Sequence, residues 1–254
     1  MSVSIRSSVH KRVAWRDTTG LLWRQRMVKD TGELQRVEAA VDLGSHAYRN
    51  ALKTVKPGTP ESSVAAELEF AARKAGADGM SFETIVAGGK WSALPHGRAT
   101  VQPLPRRGFV VIDSGVILRG YCSDMTRTVH VGRASREERR WYEAVREAQL
   151  AAVSAVAPGK TAGEIDQAAR NVLRKAKLDR YFTHSTGHGV GLEIHEPPRL
   201  GKDQKEILEP GMVITIEPGI YIPGKGGIRI EDMVVVTATG SRVLTPDRKE
   251  LIEL

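Results

Sequence analysis

The sequence predicts an α+β domain built from two duplicated halves, and three observations carry that prediction. Compared with itself at an offset of 101 residues, the chain repeats a pair of amphipathic helical patterns. Each pair is followed by an apolar, strand-like run that ends in an acid. Finally, 254 residues with 41% hydrophobic and 27% charged composition suit one large globular unit with a substantial core.

The first repeated helix lies within Arg36 to Gly58 and returns within Glu137 to Gly159. Val41 falls over Tyr142, Ala51 over Ala152, Leu52 over Val153 and Val55 over Val156, so one apolar face is kept in register. Both copies are expected to be stopped by Pro-Gly, since proline cannot continue a helix and glycine tolerates the turn after it. The second helix follows in the same register, with Val64 over Ile165, Leu68 over Ala169, Ala72 over Leu173 and Arg73-Lys74 over Arg174-Lys175. Next come the apolar runs Phe109 to Ile112 before Asp113 and Met212 to Ile216 before Glu217. Each half then supplies a second acid, Asp124 in the first and Glu231 in the second. Folding the halves face to face brings two carboxylates from each to one crevice, a usual location for a binding site.

Composition narrows the function classes. No run of about 18 apolar residues occurs, so no membrane span is expected. Arg6, Lys11, Arg12 and Arg16 interrupt the N-terminal stretch where a signal peptide would need an apolar centre. Cys122 is the only cysteine, which excludes an intrachain disulfide and makes a reducing cytoplasm the expectation. The formal charge of +8 invites a nucleic-acid reading, but the basic residues are scattered. The densest stretches, Arg136 to Arg140 and Arg170 to Arg180, fit solvated helix faces, and few aromatics are present to stack bases. Nucleic acid is therefore not expected as a partner.

Five residues dominate the chemistry: Asp113 in I-D-S-G, Asp124 in G-Y-C-S-D-M-T-R-T, His188 in H-S-T-G-H-G-V-G-L-E-I-H-E-P-P, Glu217 in T-I-E-P-G and Glu231 in R-I-E-D. Four carboxylates and one imidazole form a hard, oxygen-rich set whose negative charge calls for two divalent cations. Singly, an Asp before Gly or a Glu-Pro-Gly reads as a turn acid. In this order, the phrases resemble the pita-bread metallopeptidases, the family of methionine aminopeptidases, prolidases and aminopeptidase P. S-A-L-P-H-G, G-H-G-V-G-L-E-I-H-E-P-P, T-I-E-P-G-I-Y and G-I-R-I-E-D resemble its Xaa-Pro branch. The match begins near Met27 and runs to the C-terminus.

The resemblance implies a pita-bread fold, with pseudo-two-fold halves (about 30–132 and 133–254) and a curved antiparallel sheet covered by helices. It implies that Asp113 chelates one metal, that His188 and Glu217 hold the other, and that Asp124 and Glu231 bridge the pair. Manganese is the first choice, with cobalt, zinc and iron compatible with the same donors. Such a pair acidifies a bridging water to hydroxide near neutral pH and polarises the scissile carbonyl. Glu217 would also pass a proton to the leaving nitrogen, a general acid-base role. His96 and His195 would stabilise the developing oxyanion. His184 would line the pocket beyond the cleaved bond, a histidine the methionine branch lacks. Arg229, two residues before Glu231, would share its side of a strand and either orient a ligand carboxylate or hold a substrate carboxylate. Tyr221 would donate a hydrogen bond in the site or close the core.

The implied activity is hydrolysis of the Xaa-Pro bond at peptide N-termini, with proline-containing peptides as substrates. The alternatives are a prolidase-type Xaa-Pro dipeptidase, then a methionine aminopeptidase, then a binding module without catalysis. R-I-E-D and His184 argue against the methionine branch, and the intact ligand set argues against a non-catalytic module. Relatives in the Xaa-Pro branch carry an extra N-terminal domain. Here about thirty residues precede the first repeat helix, too few for a second core. Residues 1–26, with Trp15, Leu21, Leu22 and Trp23, read as an arm, linker remnant or dimer contact, and residues 27–254 as the catalytic domain. A homodimer is implied by the resemblance. Lys90-Trp91 departs from the smaller or polar residues common before S-A-L-P-H, so Trp91 would narrow the pocket or cap it from outside.

Overall fold

Three of the helix starts in this chain coincide with side chains that satisfy free N–H groups of the first turn. In a computed structural model, which describes residues 18 and 20–254, a short helix α1 spans Leu21–Met27 and leads into α2, Thr31–Leu52. Asp30 caps α2 and Glu33 reaches back to complete a capping box. Helix α3, Glu61–Lys74, starts after Pro60, whose fixed φ suits the entry to a helix. In the second half α4, Arg136–Ala155, is boxed by Ser135 and Glu138, and α5, Ala162–Lys175, by Thr161 and Glu164.

The second helices of the two halves, α3 and α5, begin and end 101 residues apart, as the repeat requires. The first helices differ at both ends. Helix α2 stops at Leu52, and a turn over residues 53–55 intervenes before Pro57-Gly58. Gly58 and Gly159 both adopt φ of +84°, so the expected Pro-Gly turn is built identically in the two halves.

The strands of the first half are β1 (Gly79–Met80), β2 (Ile85–Gly88), β3 (Gly108–Ser114), β4 (Val116–Leu118), β5 (Tyr121–Cys122) and β6 (Met125–Val131). Those of the second are β7 (Gly187–Gly189), β8 (Glu196–Leu200), β9 (Val213–Ile216), β10 (Gly219–Ile222), β11 (Gly226–Arg229), β12 (Asp232–Val236) and β13 (Ser241–Val243). Every pairing between them is antiparallel. The first half centres on a sheet ordered β2-β3-β6, the second on a five-stranded sheet ordered β13-β12-β9-β7-β8. Two smaller sheets, β1-β4-β5 and β10-β11, complete the set.

Each sheet is covered by its own helix pair. Ala47, Leu68 and Ala72 pack on Val110 and Ile112 in the first half, and Val145, Ile165 and Leu173 pack with Ile214 and Ile216 in the second. A third cluster, with Val37 and Val41 against Val213, Met233 and Val235, joins the halves. Burial of such side chains is worth about 1.5–3 kcal/mol each, so the seam is held by apolar contact as well as by polar bonds.

The site acids sit at matching strand ends. Asp113 lies inside β3, one residue before its end, whereas Glu217 follows β9; Asp124 precedes β6 and Glu231 precedes β12. Of the expected arm, Leu21, Leu22 and Trp23 fall on α1, which is tied to the β8 region by Arg26 on Glu193 and Glu196. Trp15 lies outside the described residues. Among the described residues no helix is long and apolar enough to cross a membrane.

Candidate metal centre

At the seam the strand ends open a cavity of about 870 Å³ whose lining includes Asp113, Asp124, His188, Glu217 and Glu231. Donor atoms of Asp124, His188 and Glu231 all lie within 4.8 Å of one another. His188 Nε2 stands 3.5 Å from Asp124 Oδ2 and 3.5 Å from Glu217 Oε1. On the other ring edge His188 Nδ1 is 2.9 Å from the Gly189 carbonyl. A carbonyl only accepts, so Nδ1 carries the hydrogen and Nε2 presents its lone pair to the acids.

The surrounding bonds explain why these side chains converge. Thr126, the second residue of β6, donates to Glu231 Oε2 at 2.6 Å and accepts from Arg229 Nε at 3.0 Å. Arg229 also donates to Asp113 Oδ2 at 2.6 Å, to Tyr221 Oη at 2.7 Å and to the Pro95 carbonyl at 2.9 Å. Thr215, on β9, links two of the clustered residues: the His188 amide donates to its hydroxyl, which lies 3.3 Å from Glu217 Oε1. The Glu217 amide itself donates to the Thr186 carbonyl at 2.7 Å.

Electrostatics test whether cations fit. Burial, with repulsion from Glu231, Asp113 and Glu217, pushes the Asp124 carboxyl well above its ordinary range. Glu231 is raised by burial and by its acidic neighbours. Burial holds Glu217 at about 8, with Arg229 opposing and Asp113 reinforcing the shift. Burial also lowers His188 to about 4. Asp113 Oδ1, in addition, is a buried acceptor without a hydrogen-bond partner. A packed set of acids with a free acceptor and an imidazole lone pair is short of positive charge, so divalent cations fit the residues present.

Three other histidines surround this cluster. His96 and His195 are exposed on the cavity wall, and the rings of His188 and His195 lie 4.4 Å apart, edge to face. His184 lines the far side, its Nε2 2.9 Å from Tyr221 Oη; burial lowers its pKa to about 4. Tyr221 is buried behind His184 and is not part of the cavity lining among the described residues. Arg229 closes β11 while Glu231 falls between strands, so the expected common strand does not extend to Glu231, although both side chains line the cavity. Trp91 stands outside the cavity, its indole donating to the Arg98 carbonyl at 3.0 Å and closing the loop that carries His96.

Several residues were not singled out by the sequence reading. Thr126 and Arg127 follow Asp124 inside a motif already in view, and alternation along a strand was the available signal for one of them facing the acids. Thr215 stands two residues before Glu217 and was open to the same reading. Arg170, counted in the sequence among the solvated basic residues from Arg170 to Arg180, is instead only 20% exposed and paired one helical turn away with Asp166. The i,i+4 spacing was the available signal for the pair, and nothing marked what it would hold.

Comparison with known proteins adds an independent line. Residues 35–238 match the model of metallopeptidase family M24. The chain is 45% identical over 227 residues to an Xaa-Pro dipeptidase of Pyrococcus furiosus, covering 89% of this chain and 65% of that protein. The chain thus spans just under two thirds of that curated relative's length. Among solved structures, an Xaa-Pro dipeptidase from Bacillus anthracis superposes with a TM-score of 0.91 at 45% identity, over 92% of this chain and 66% of the other. An X-Pro aminopeptidase from Thermotoga maritima gives a TM-score of 0.90 at 38% identity, over 92% and 66%.

Proposed function

The chain belongs to metallopeptidase family M24 and has its pita-bread fold, and from that premise we propose that it hydrolyses the Xaa-Pro bond at the N-terminus of peptides with two divalent metals. The observation that carries the proposal is the convergence of four carboxylates and the His188 lone pair on one cavity, ringed by His96, His184 and His195. Asp113 would hold one cation, His188 and Glu217 the other, with Asp124 and Glu231 shared between them. When bound, the cations supply an acidified water and a Lewis acid for the scissile carbonyl.

The chain's own groups do the rest. Glu217, steadied through Thr215 and the Thr186 carbonyl, accepts a proton on the water side and returns it to the prolyl nitrogen as that bond breaks. His195 and His96, exposed on the wall, donate to the carbonyl oxygen as it gains charge. His184, braced by Tyr221, receives the ring beyond the cleaved bond. Arg229 orients Asp113 and, through Thr126, Glu231; its bonds to four partners favour this role over holding a substrate carboxylate. Tyr221 acts on substrate only through His184 and Arg229. The cavity, about 870 Å³, has room for more than a dipeptide, which favours peptides over dipeptides as substrates. Manganese is proposed as the native metal because carboxylates dominate the donors. A homodimer is proposed on the resemblance alone.

The test is turnover of Xaa-Pro di-, tri- and pentapeptides by chelated protein and by protein refilled with manganese or cobalt, with Xaa-Ala and Met-Ala peptides as controls. Activity should disappear on chelation, return with metal, and depend on proline in second position. Metal-refilled protein that cleaves Xaa-Ala as fast as Xaa-Pro, or full turnover after confirmed metal loss, refutes the reading.

A further inference from the structure

Helix α5 carries a partly buried ion pair with no counterpart in the first half: the positions 101 residues earlier are Ala65 and Glu69. Asp166 is 1% exposed, and Arg170 donates to it from Nε at 2.6 Å and from Nη2 at 3.1 Å. A side-on guanidinium of this kind is fixed in plane, so its other N–H groups point in defined directions. Nη2 donates to the His184 carbonyl at 2.6 Å and Nη1 to the Phe182 carbonyl at 3.2 Å. The guanidinium lies 4.3 Å over the Phe182 ring, which packs edge-on against the His184 imidazole at 5.1 Å. Asp166 Oδ1 also accepts from the Thr186 amide at 3.1 Å and hydroxyl at 2.8 Å. The Thr186 carbonyl in turn holds the Glu217 amide. A single helical turn thus holds residues 182–186 at both ends.

From this geometry we infer that Asp166 and Arg170 are positioning residues for the Xaa-Pro reaction, setting the place of His184 directly and of Glu217 through Thr186. The inference rests on the proposed function for the word reaction, and on contacts alone for the positioning. Neither side chain lines the cavity, so the pair acts only through the segment it holds. Arg170 bears on His184, and its loss should weaken capture of the residue beyond the cleaved bond. Asp166 also bears on Thr186, so its loss should reach Glu217 and the turnover step.

The experiment is a double-mutant cycle in the full, metal-loaded chain. Arg170→Gln should raise KM for an Xaa-Pro tripeptide about tenfold with kcat within about twofold, the usual scale for removing a group that orients a site residue. In a His184→Ala background the same change should leave KM where it is, because the route of action has been removed. An equal rise in both backgrounds overturns the inference. Should Arg170→Gln not fold, Arg170→Lys, which keeps the charge beside Asp166 but cannot span both carbonyls, carries the same cycle. A second readout needs no turnover: in nitrogen NMR spectra of the histidine rings, Arg170→Gln should move the His184 signal and leave buried His130 unchanged. An unmoved His184 signal overturns the positioning. If the loaded wild type does not cleave Xaa-Pro peptides, the proposed function fails and the ring spectra alone decide the positioning.

Discussion

In the first half a buried carboxylate at the start of the second helix, Glu61, accepts from the Gly88 amide and from the amide and hydroxyl of Thr100, which closes the loop carrying His96. In the second half the corresponding position is Ala162, and the carboxylate stands one turn further on, at Asp166, where it holds the segment carrying His184. Two halves that share their second-helix boundaries to the residue therefore anchor their site loops by different bonds. The helices and central strands answer to packing, which both halves must satisfy alike. The loops answer to what they hold, and the clustered side chains diverge as well: Asp113 and Asp124 come from the first half, His188, Glu217 and Glu231 from the second.

The seam is cross-braced by two guanidiniums. Arg229 of the second half holds Asp113 of the first, and Arg127 of the first half donates to the Glu231 carbonyl and, at 2.7 Å, to Asp232 of the second. The two braces differ in reach: Arg229 touches the side chain of Asp113, a proposed ligand, Arg127 only backbone and a neighbouring carboxylate. Arg229→Lys should therefore give the largest effect among these contrasts, a loss of metal affinity or activity of roughly tenfold to a hundredfold, because an ammonium cannot serve Asp113, Thr126 and Tyr221 together. Arg127→Lys should lower the unfolding midpoint more than it lowers kcat. Metal titration beside thermal melts separates the two, and a swap of their phenotypes would break the contrast.

How much of this was legible depended on range. Helices α2 to α5 were visible because amphipathic period is local, as Val41 over Tyr142 and Val64 over Ile165 attest. The cavity acids proposed as ligands were visible because each closes or follows an apolar run or sits in a compact motif. The braces were not, since Thr126 meets Glu231 across 105 residues of chain and Arg170 reaches His184 from another element. Nothing local in a Thr or an Arg on a strand or helix states which carboxylate or carbonyl it will meet. The expectation of one strand through Arg229 and Glu231 failed for a related reason. β11 pairs only with β10 in the small sheet, while β12 belongs to the large one, and the chain changes sheets between them.

A smaller effect sharpens the difference between acids and histidines at the seam. In the metal-free protein Glu217 is held at about 8 by burial, and Asp124 and Glu231 are raised as well, while burial holds His184 and His188 at about 4. Below about pH 6.5 the two sets oppose: the unfolded chain binds protons on the histidines that the native state refuses, while the native acids keep protons the unfolded chain has lost. About a unit above that pH the histidines are neutral in both states and only the acids count. Their folded pKa is raised, so the stability they contribute is full at low pH and is lost as pH rises. Chelated protein should lose stability between about pH 7.5 and 8, by roughly 1.4 kcal/mol per pH unit for each proton held. Metal-loaded protein should lack this slope, since the cations replace the protons. Denaturant midpoints of both forms at the two pH values check it, and a flat or rising midpoint for the chelated form contradicts it.

The smallest contrast lies where both second helices end. Helix α3 closes with Gly76 at φ +100°, helix α5 with Lys177 at φ +60°. In both, the amide after that residue turns back to the helix: Ala77 to the Ala72 carbonyl at 3.1 Å, Leu178 to the Leu173 carbonyl at 2.8 Å. The motif is the same left-handed helix stop, for which glycine is the usual occupant. The second half tolerates lysine because Leu178 is buried beside fully buried Leu173, a larger apolar clasp than Ala77 and Ala72 provide. Lys177→Gly relieves a left-handed conformation costing about 1–2 kcal/mol in an L residue. It also frees the unfolded chain by about 0.4–1 kcal/mol, which offsets part of the gain. A net stabilisation of about 0.5 kcal/mol is expected, with no change in kcat because the site is not touched. Gly76→Lys should be destabilising, since the alanine pair offers less to hold the strained turn in place. Calorimetric midpoints of the two variants test this, and a stabilised Gly76→Lys beside a weakened Lys177→Gly would refute the strain argument at both helix stops.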